Sequence, residues 1–415
     1  MKKFTAVILI LIVSVSLVFG AFSACEAGAS KIKLDRNMKL VDAFDGGRLF
    51  VAGGMKIVQL NGSFRQMGRQ YGMLLKGDIN AVYDLMVNRI LIGEKKMKYE
   101  EILASANMKE MEPPEYIKEM IAGMAETTGL TYDQANIVRL NLIYMATMCS
   151  AAAAYSDYSK DGNVVFGRNL DLGKGSISLL KPFTVIVVYN PLGTQKNSVA
   201  EITYAGCIYA QTLFNGSGMM LEMNNGMISR MPAANENIQS DALAYKMYDL
   251  MFDSFKIEEV ITGIRNIKIN CGMMLNAADK ISAYCCEIAP EGVFVRSGDK
   301  PGFLAISNHF LNPDWKSAIK LGKGKKYGKT LERHSNLMKQ AEKHKGAFDA
   351  EQMMALFDRT IPNGGPTFST RRSEDLQTLY SCVFTPADMK LFVKNREKTE
   401  WVEVRLNELF LPKTR

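Results

Sequence analysis

The sequence predicts an α+β protein in which sheets pack on one another and are covered by helices. Three observations lead there. The chain before position 149 has mainly helical periodicity, and the chain after it breaks into short runs rich in Val, Ile, Tyr and Phe, bounded by Gly, Asn and Pro. Several of these runs are apolar on both faces, so neither face is expected to meet water.

The chain opens with "MKKFTAVILILIVSVSLVFGAFSAC", a charged start, an apolar run and small residues, which is the layout of a secretory signal over residues 1–24. The run is of borderline length for a membrane span, and the small residues after it favour a signal. Two processing readings stand. Cleavage after Ser23 would use Ala21 and Ser23 as the small residues; alternatively "FSAC" is a lipoprotein box with Cys25 as the lipidated residue, although Phe22 departs from the usual aliphatic. Either places the mature chain outside the cytoplasm, as a periplasmic or secreted protein or one tethered to the envelope membrane through Cys25.

Residues 25–148 form the helical N-terminal segment. "VQLNGS" is a strand-like lead into an amphipathic helix over residues 64–89, and a second helical block follows Pro113 and Pro114 and ends near Gly129. "TYDQ" then offers a capping box, Thr131 with Gln134, opening a helix that runs toward Thr147. Beyond Cys149, the expected strands are "GNVVFGRNLDL", "FTVIVVYN", "EITYAG", "GMMLEMN", "ISAYCCEIA", "GVFVRSG", "GFLAISNHF" and "TLYSCVFTP". Helices are expected over residues 241–255, 257–267, 331–345 and 349–359. Residues 149–415 are read as one catalytic segment.

With 415 residues, 47% hydrophobic and 23% charged, the chain has material for a large core. Its formal charge is +8, with much of the basic excess in residues 316–345. That stretch reads as a solvated loop and helix face, and no nucleic-acid partner is expected. The seven cysteines show no CxxC pair or metal-ligand spacing, and Cys285 and Cys286 read as strand packing. Histidine occurs only at 309, 334 and 344. His309 reads as a packed, hydrogen-bonded side chain, so a base other than histidine is expected.

Cys149 ends the helical half and opens "CSAAAAYSDYSKDGNVVFGRNLDL". The turn signal "SKDGN" allows an antiparallel hairpin that returns Arg168 and Asp171 toward the cysteine. Cleavage between Met148 and Cys149 would create an α-amine beside its own thiol. Such an amine has an ordinary pKa of about 7.7 to 8.0, so it can act as the base near neutral pH. Arg168 would hold the thiolate and Asp171 the new ammonium.

"CS…DGNVVFGRNLDL" resembles the nucleophile hairpin of the N-terminal-nucleophile hydrolases, in particular the acyl-coenzyme A:6-aminopenicillanic acid acyltransferase branch and the related choloylglycine hydrolases. "LNGSFRQMGRQYGMLL", "NGSGMMLEMNNG", "AISNHF" and "TLYSCVFTP" resemble further blocks of that branch, in order, across residues 55–392. The resemblance implies a four-layer αββα sandwich, self-cleavage before Cys149, and two chains, 25–148 and 149–415, that stay associated. It makes Cys149 the nucleophile, with Arg168 and Asp171 as partners and Asn308 as a polar group at the reacting centre. Asn224 and Asn225 both fit the oxyanion donor. Asn225 is preferred for that role and Asn224 assigned to substrate binding. A late substrate-binding arginine falls on Arg371 or Arg372, with Arg372 chosen. Met148 stands where the penicillin enzyme has glycine. The four alanines at 151–154, with Met219, Met220 and Met223, suggest an apolar wall for an acyl group.

The expected activity is hydrolysis of a small N-acyl amide through an acyl-enzyme on Cys149, with no metal or organic cofactor. Acyl transfer to a small amine is the alternative reaction, and a catalytically silent envelope binding protein the alternative class.

Overall fold

Alternation of side chains along the strands sets the layering of this protein, seen here in a computed structural model that describes residues 32–108, 111–140, 148–226, 228–229, 242–318, 325–368, 375–395 and 400–412. The expected signal at 1–24, Cys25, residues 141–147 ahead of the cysteine, and both Arg371 and Arg372 lie outside the described residues.

The strands are β1 (Leu34–Asp35), β2 (Lys39–Phe44), β3 (Gly47–Ala52), β4 (Met55–Gly62), β5 (Met148–Ala154), β6 (Val165–Gly173), β7 (Thr184–Pro191), β8 (Val199–Tyr204) and β9 (Thr212–Asn215). They continue with β10 (Met220–Asn225), β11 (Met273–Ala278), β12 (Ala283–Ala289), β13 (Gly292–Arg296), β14 (Phe303–Ile306), β15 (Leu376–Thr385), β16 (Lys390–Asn395) and β17 (Trp401–Arg405). The helices are α1 (Phe64–Leu74), α2 (Lys76–Tyr83), α3 (Tyr99–Ala106), α4 (Glu115–Thr128), α5 (Tyr132–Val138), α6 (Lys174–Leu180), α7 (Leu243–Asp253), α8 (Ile257–Arg265), α9 (Lys325–Lys343), α10 (Ala350–Asp358) and α11 (Leu406–Leu409). A π-helical stretch, Asp84–Glu94, continues α2.

Among the described residues, seven strands form one sheet in the order β1-β17-β16-β15-β6-β5-β14, and ten form the other in the order β13-β12-β11-β10-β9-β8-β7-β4-β3-β2. One apolar cluster lies between them. It takes Cys149, Ala151, Phe166, Leu170 and Cys382 from the first sheet and Ile186, Val188, Ile202, Phe214 and Met274 from the second. Residues of opposite parity face outward. Val187, Tyr189, Leu221 and Cys286 pack against α1, α2, α4, α5, α7 and α8, whereas Ala152, Ala154, Val165 and Val383 pack against α9 and α10. The order is helix, sheet, sheet, helix, the αββα sandwich expected from the sequence.

Local chemistry explains the element ends. Ser63 caps α1 and Thr131 caps α5, each in a complete capping box with a Gln three residues on. Gly129, at φ 86°, terminates α4 in the left-handed region. Glycine also lets α1 and α4 touch, because a Cβ on Gly68 would lie 2.1 Å from the Met120 carbonyl oxygen. The hairpin read around "SKDGN" forms, with β5 and β6 paired antiparallel from Met148↔Asp171 to Ala154↔Val165.

The segment before Cys149 is helical as expected, and the strand-like "VQLNGS" falls in β4, which pairs in parallel with β7; the segment also supplies β2 and β3 to the ten-stranded sheet. Residues 32–415 are one compact unit, with no division at Cys149. β9, β11, β16 and β17 go beyond the sequence expectation. β11, Met-Met-Leu-Asn-Ala-Ala, has little intrinsic strand preference and is held between β10 and β12.

Beneath α7, the buried Glu201 of β8 accepts from the hydroxyls of Tyr189 at 2.5 Å and Tyr248 at 2.6 Å. Burial pushes this carboxyl up to about 7, against the pull of the two donors. Its folded value exceeds the ordinary 4.5, so its contribution is complete below pH 4.5 and is lost as pH rises through about 7. The loss is on the order of 3 kcal/mol. The thermal stability of the wild type should therefore fall from about pH 4.5 to 7, and Glu201→Gln should flatten that slope; parallel slopes would remove Glu201 as the cause.

Candidate active site

β5 carries Cys149 with its side chain directed between the sheets, beside Arg168 of β6. Strand parity explains the pairing, since Ala151 is the register partner of Arg168 and Cys149 stands two residues away on the same face. Arg168 is fully buried and reaches across the sandwich. Its Nη1 lies 2.6 Å from Glu222 Oε2 and donates to the Gln211 carbonyl at 2.6 Å, while Nη2 donates to the Met223 carbonyl at 3.0 Å and to Cys149 Sγ at 3.6 Å. Glu222, on β10, accepts in addition from Asn276 Nδ2 at 2.6 Å. Burial opposes charge on Arg168, yet Glu222 beside it keeps the guanidinium firmly protonated.

On the opposite face of β6, Asp171 accepts from Thr378 Oγ1 at 2.6 Å and pairs with Arg333 Nη1 at 3.3 Å. Arg333 comes from α9 and is also fully buried. It donates through Nη1 to the Cys149 carbonyl at 2.5 Å and through Nη2 to Asn308 Oδ1 at 2.7 Å, with its guanidinium 5.2 Å from the Phe368 ring centre. Asp171 thus connects to the cysteine backbone through Arg333.

Asn308 follows β14, whose main-chain pairing with β5 runs from Phe303↔Ala154 to Ile306↔Ala151. Beyond that pairing the Asn308 side chain takes over: Oδ1 accepts from the Cys149 amide at 3.0 Å, and Nδ2 donates to the Asn225 carbonyl at 2.7 Å. Two donors meet Oδ1 and one acceptor meets Nδ2, which fixes the amide orientation. The Asn308 amide donates to Thr330 Oγ1 at 2.8 Å.

Cys149, Arg168, Asp171, Asn308 and the main chain of Asn225 are therefore brought together. Between the two asparagines, Asn224 shares the Glu222 face and donates to the Ser307 carbonyl at 3.1 Å, directing its side chain toward the seven-stranded sheet. Asn225 enters the site described above through its carbonyl. Of the expected apolar wall, Ala151, Ala153 and Met220 are packed between the sheets, Ala152 and Ala154 under the helices, and Met219 and Met223 against the helices of the ten-stranded sheet. These side chains fill core. His309 is buried as expected, within 3.0 Å of the Ser307 and Thr330 hydroxyls, and burial pushes its pKa down to about 3.

Sequence reasoning missed Arg333, Glu222 and Thr378. Arg333 shares one face of α9 with Thr330, Leu337 and Ala341, all buried, so a charge at helical spacing among apolar and small residues was its signal. Glu222 likewise alternates with Met220 and Asn224 on the inward face of β10.

Burial pushes the Cys149 thiol up to about 11 in the continuous chain, with Arg168 and Arg333 pulling down and Glu222 and Asp171 pushing up. Each arginine that meets Cys149 has its own carboxylate, so the local charges nearly cancel. The thiol is therefore held in its neutral form at neutral pH. Among the described residues no cluster of His, Cys, Asp and Glu is arranged to hold a metal ion.

No family model matches this chain. Among curated proteins it is similar to "Protein dcd1A" of Dictyostelium discoideum, with 24% identity over 179 residues. The match covers 37% of this chain and 40% of that protein's length. Among solved structures, it is similar to a Caenorhabditis elegans N-acylethanolamine-hydrolyzing acid amidase ortholog, with 16% identity, TM-score 0.41, and 57% of this chain and 93% of that one covered. A mutant conjugated bile acid hydrolase from Clostridium perfringens gives 15% identity, TM-score 0.43, and 63% and 93% coverage. Penicillin V acylase from Agrobacterium tumefaciens gives 10% identity, TM-score 0.45, and 63% and 88% coverage.

The Arg168–Glu222 pair yields a stability test in a Cys149→Ala background. Arg168→Met or Glu222→Leu alone leaves a buried charge uncompensated and should cost about 3 to 5 kcal/mol in denaturant unfolding. The double substitution should recover much of that loss. Additive losses would mean the two side chains do not share one interaction.

Proposed function

We propose that this protein is a self-processing cysteine amidohydrolase of the N-terminal-nucleophile type. One observation carries the reading: the Cys149 amide nitrogen, which a cut before it would turn into an amine, is held by the Asn308 side chain at 3.0 Å rather than by a strand partner. A strand built only for packing has no need of that substitution. Here it puts a polar side chain at the nitrogen, a guanidinium at the thiol and another at the carbonyl of a single residue.

In processing, Cys149 Sγ adds to the Met148 carbonyl carbon. The Met148–Cys149 C–N bond breaks, the nitrogen takes the thiol proton and leaves as an amine, and water hydrolyses the resulting thioester to free the Met148 carboxylate and the thiol. In turnover, the new amine accepts the thiol proton and returns it to the leaving amine of the substrate. Asn308 Nδ2 and Asn224 Nδ2 are the side-chain amide donors suited to the substrate oxyanion, once local movement releases their present acceptors. Arg333 and Asp171 position the nucleophile's backbone, and Arg168 orients the thiol. The N-terminal leader read in the sequence would carry the enzyme away from coenzyme A thioesters, which favours water over an amine as the second acceptor.

Intact mass of purified protein should show two chains, one ending at Met148 and one beginning at Cys149. Cys149→Ala should remain single, and Cys149→Ser should process slowly. A fully active uncut wild type would sink the mechanism, and cutting that persists in Cys149→Ala would assign it to another protease.

With N-acyl amino acids, N-acylethanolamines, conjugated bile acids and penicillin V as the panel, Asp171→Asn and Arg333→Ala should each lower kcat/KM by roughly 10- to 100-fold, the equivalent of about 1.5 to 3 kcal/mol for a charged hydrogen bond. Near-normal values in both would reject their roles. If an added amine such as 6-aminopenicillanic acid yields mainly a new amide, the transferase reading replaces hydrolysis.

A further inference from the structure

Met148 has the same strand parity as Asp171, its register partner, and points away from the sheet interface that receives the Cys149 side chain. Its side chain is only 3% exposed and packs with Ile361 and Phe368 in a small apolar cluster separate from the three large cores, with Ile228 and Leu376 partly buried at its edge. The cluster is part of the catalytic wiring. The Phe368 amide donates to Thr378 Oγ1 at 3.0 Å, the same hydroxyl that donates to Asp171, and the Phe368 ring lies against the Arg333 guanidinium.

The other wall is equally fixed. The Ile361 amide donates to the Thr367 carbonyl at 2.9 Å, and Asn336 Nδ2 donates to the carbonyls of Ile361 at 3.0 Å and Gly365 at 2.9 Å. These bonds do not involve Met148. The two walls therefore have their own supports when its side chain leaves.

We propose that the Ile361–Phe368 cluster is the acyl-group subsite of the mature enzyme, occupied in the precursor by Met148, and that it selects amides of unbranched, medium-length acyl groups. The inference rests on the amidohydrolase reading above. In the precursor, Met148 supplies the first carbonyl that the thiol attacks, and its side chain is the part of that first acyl group that the protein holds. A later substrate presents its carbonyl to the same sulfur and its acyl chain to the same walls. Methionine is linear, and from its carbonyl carbon to its terminal methyl it spans about six atoms, the length of a hexanoyl group. Asp171 and Arg333 form the polar end of the subsite, which leaves its apolar depth as the measure of chain length.

The test uses the processed protein and N-acyl glycines from acetyl to dodecanoyl. In the wild type kcat/KM should climb roughly fourfold per methylene up to about hexanoyl and then level or fall. Ile361→Trp should move the optimum to shorter chains and Ile361→Ala to longer ones, each changing the octanoyl-to-butanoyl ratio by about tenfold or more in opposite directions. A cut, active enzyme whose chain-length profile is the same in wild type and both variants overturns the subsite and leaves the amidohydrolase reading standing. A wild type that is neither cut nor active on any amide overturns both. If Ile361→Trp does not fold, Ile361→Ala decides alone, because an unmoved optimum in that variant rejects the subsite.

Discussion

A single arginine crossing from one sheet to the other is the constraint around which this sandwich is arranged. Arg168 leaves β6 in the seven-stranded sheet and ends on Glu222 and two main-chain carbonyls at the ten-stranded sheet. A guanidinium with no exposure costs several kcal/mol to dehydrate, so its acceptors have to be in place together. This fixes how the two sheets sit over one another at that point. Cys149 gains its polar neighbour from the same placement, two residues along the adjacent strand.

The helix side repeats the arrangement with other parts. Arg333 enters from α9, meets Asp171, and holds the Cys149 carbonyl and Asn308. Cys149 therefore sits between two buried ion pairs, one on each face of its strand. Burial pushes the Cys149 thiol up to about 11, and because such pairs orient without adding net charge, the guanidinium 3.6 Å away does not offset it. In the proposed mechanism the base is therefore a group that appears only when the chain is cut.

Much of this was legible in the sequence because it is local. The turn "SKDGN" and the strand pattern around it place Cys149, Arg168 and Asp171 on one hairpin, and the alternation of apolar runs gives stacked sheets. Asn308 was accessible only through its family-like block. What escaped was decided by parity and distance. Neighbouring Asn224 and Asn225 point to opposite faces of a pleat, a difference that a motif fitting both does not separate. Arg333 lies in a basic stretch read as solvated, where its burial depends on α9 docking over β5 and β14. β2 and β3 were overshadowed by the helices after them, since a strand's partners are invisible until the sheet closes, whereas "VQLNGS" was legible as the strand that became β4.

β4 lies between β3 and β7, and its seven-residue parallel ladder with β7 joins residues from opposite sides of position 149. In a continuous chain the two strands find each other at the modest entropic expense of closing one loop. A break at that position would change the bookkeeping from intramolecular to bimolecular, with the same ladder now serving as a subunit interface. Assembly would then carry a memory of its history: the sheet forms while the chain is whole, and once opened after the break it would depend on the concentration of two separate fragments to form again.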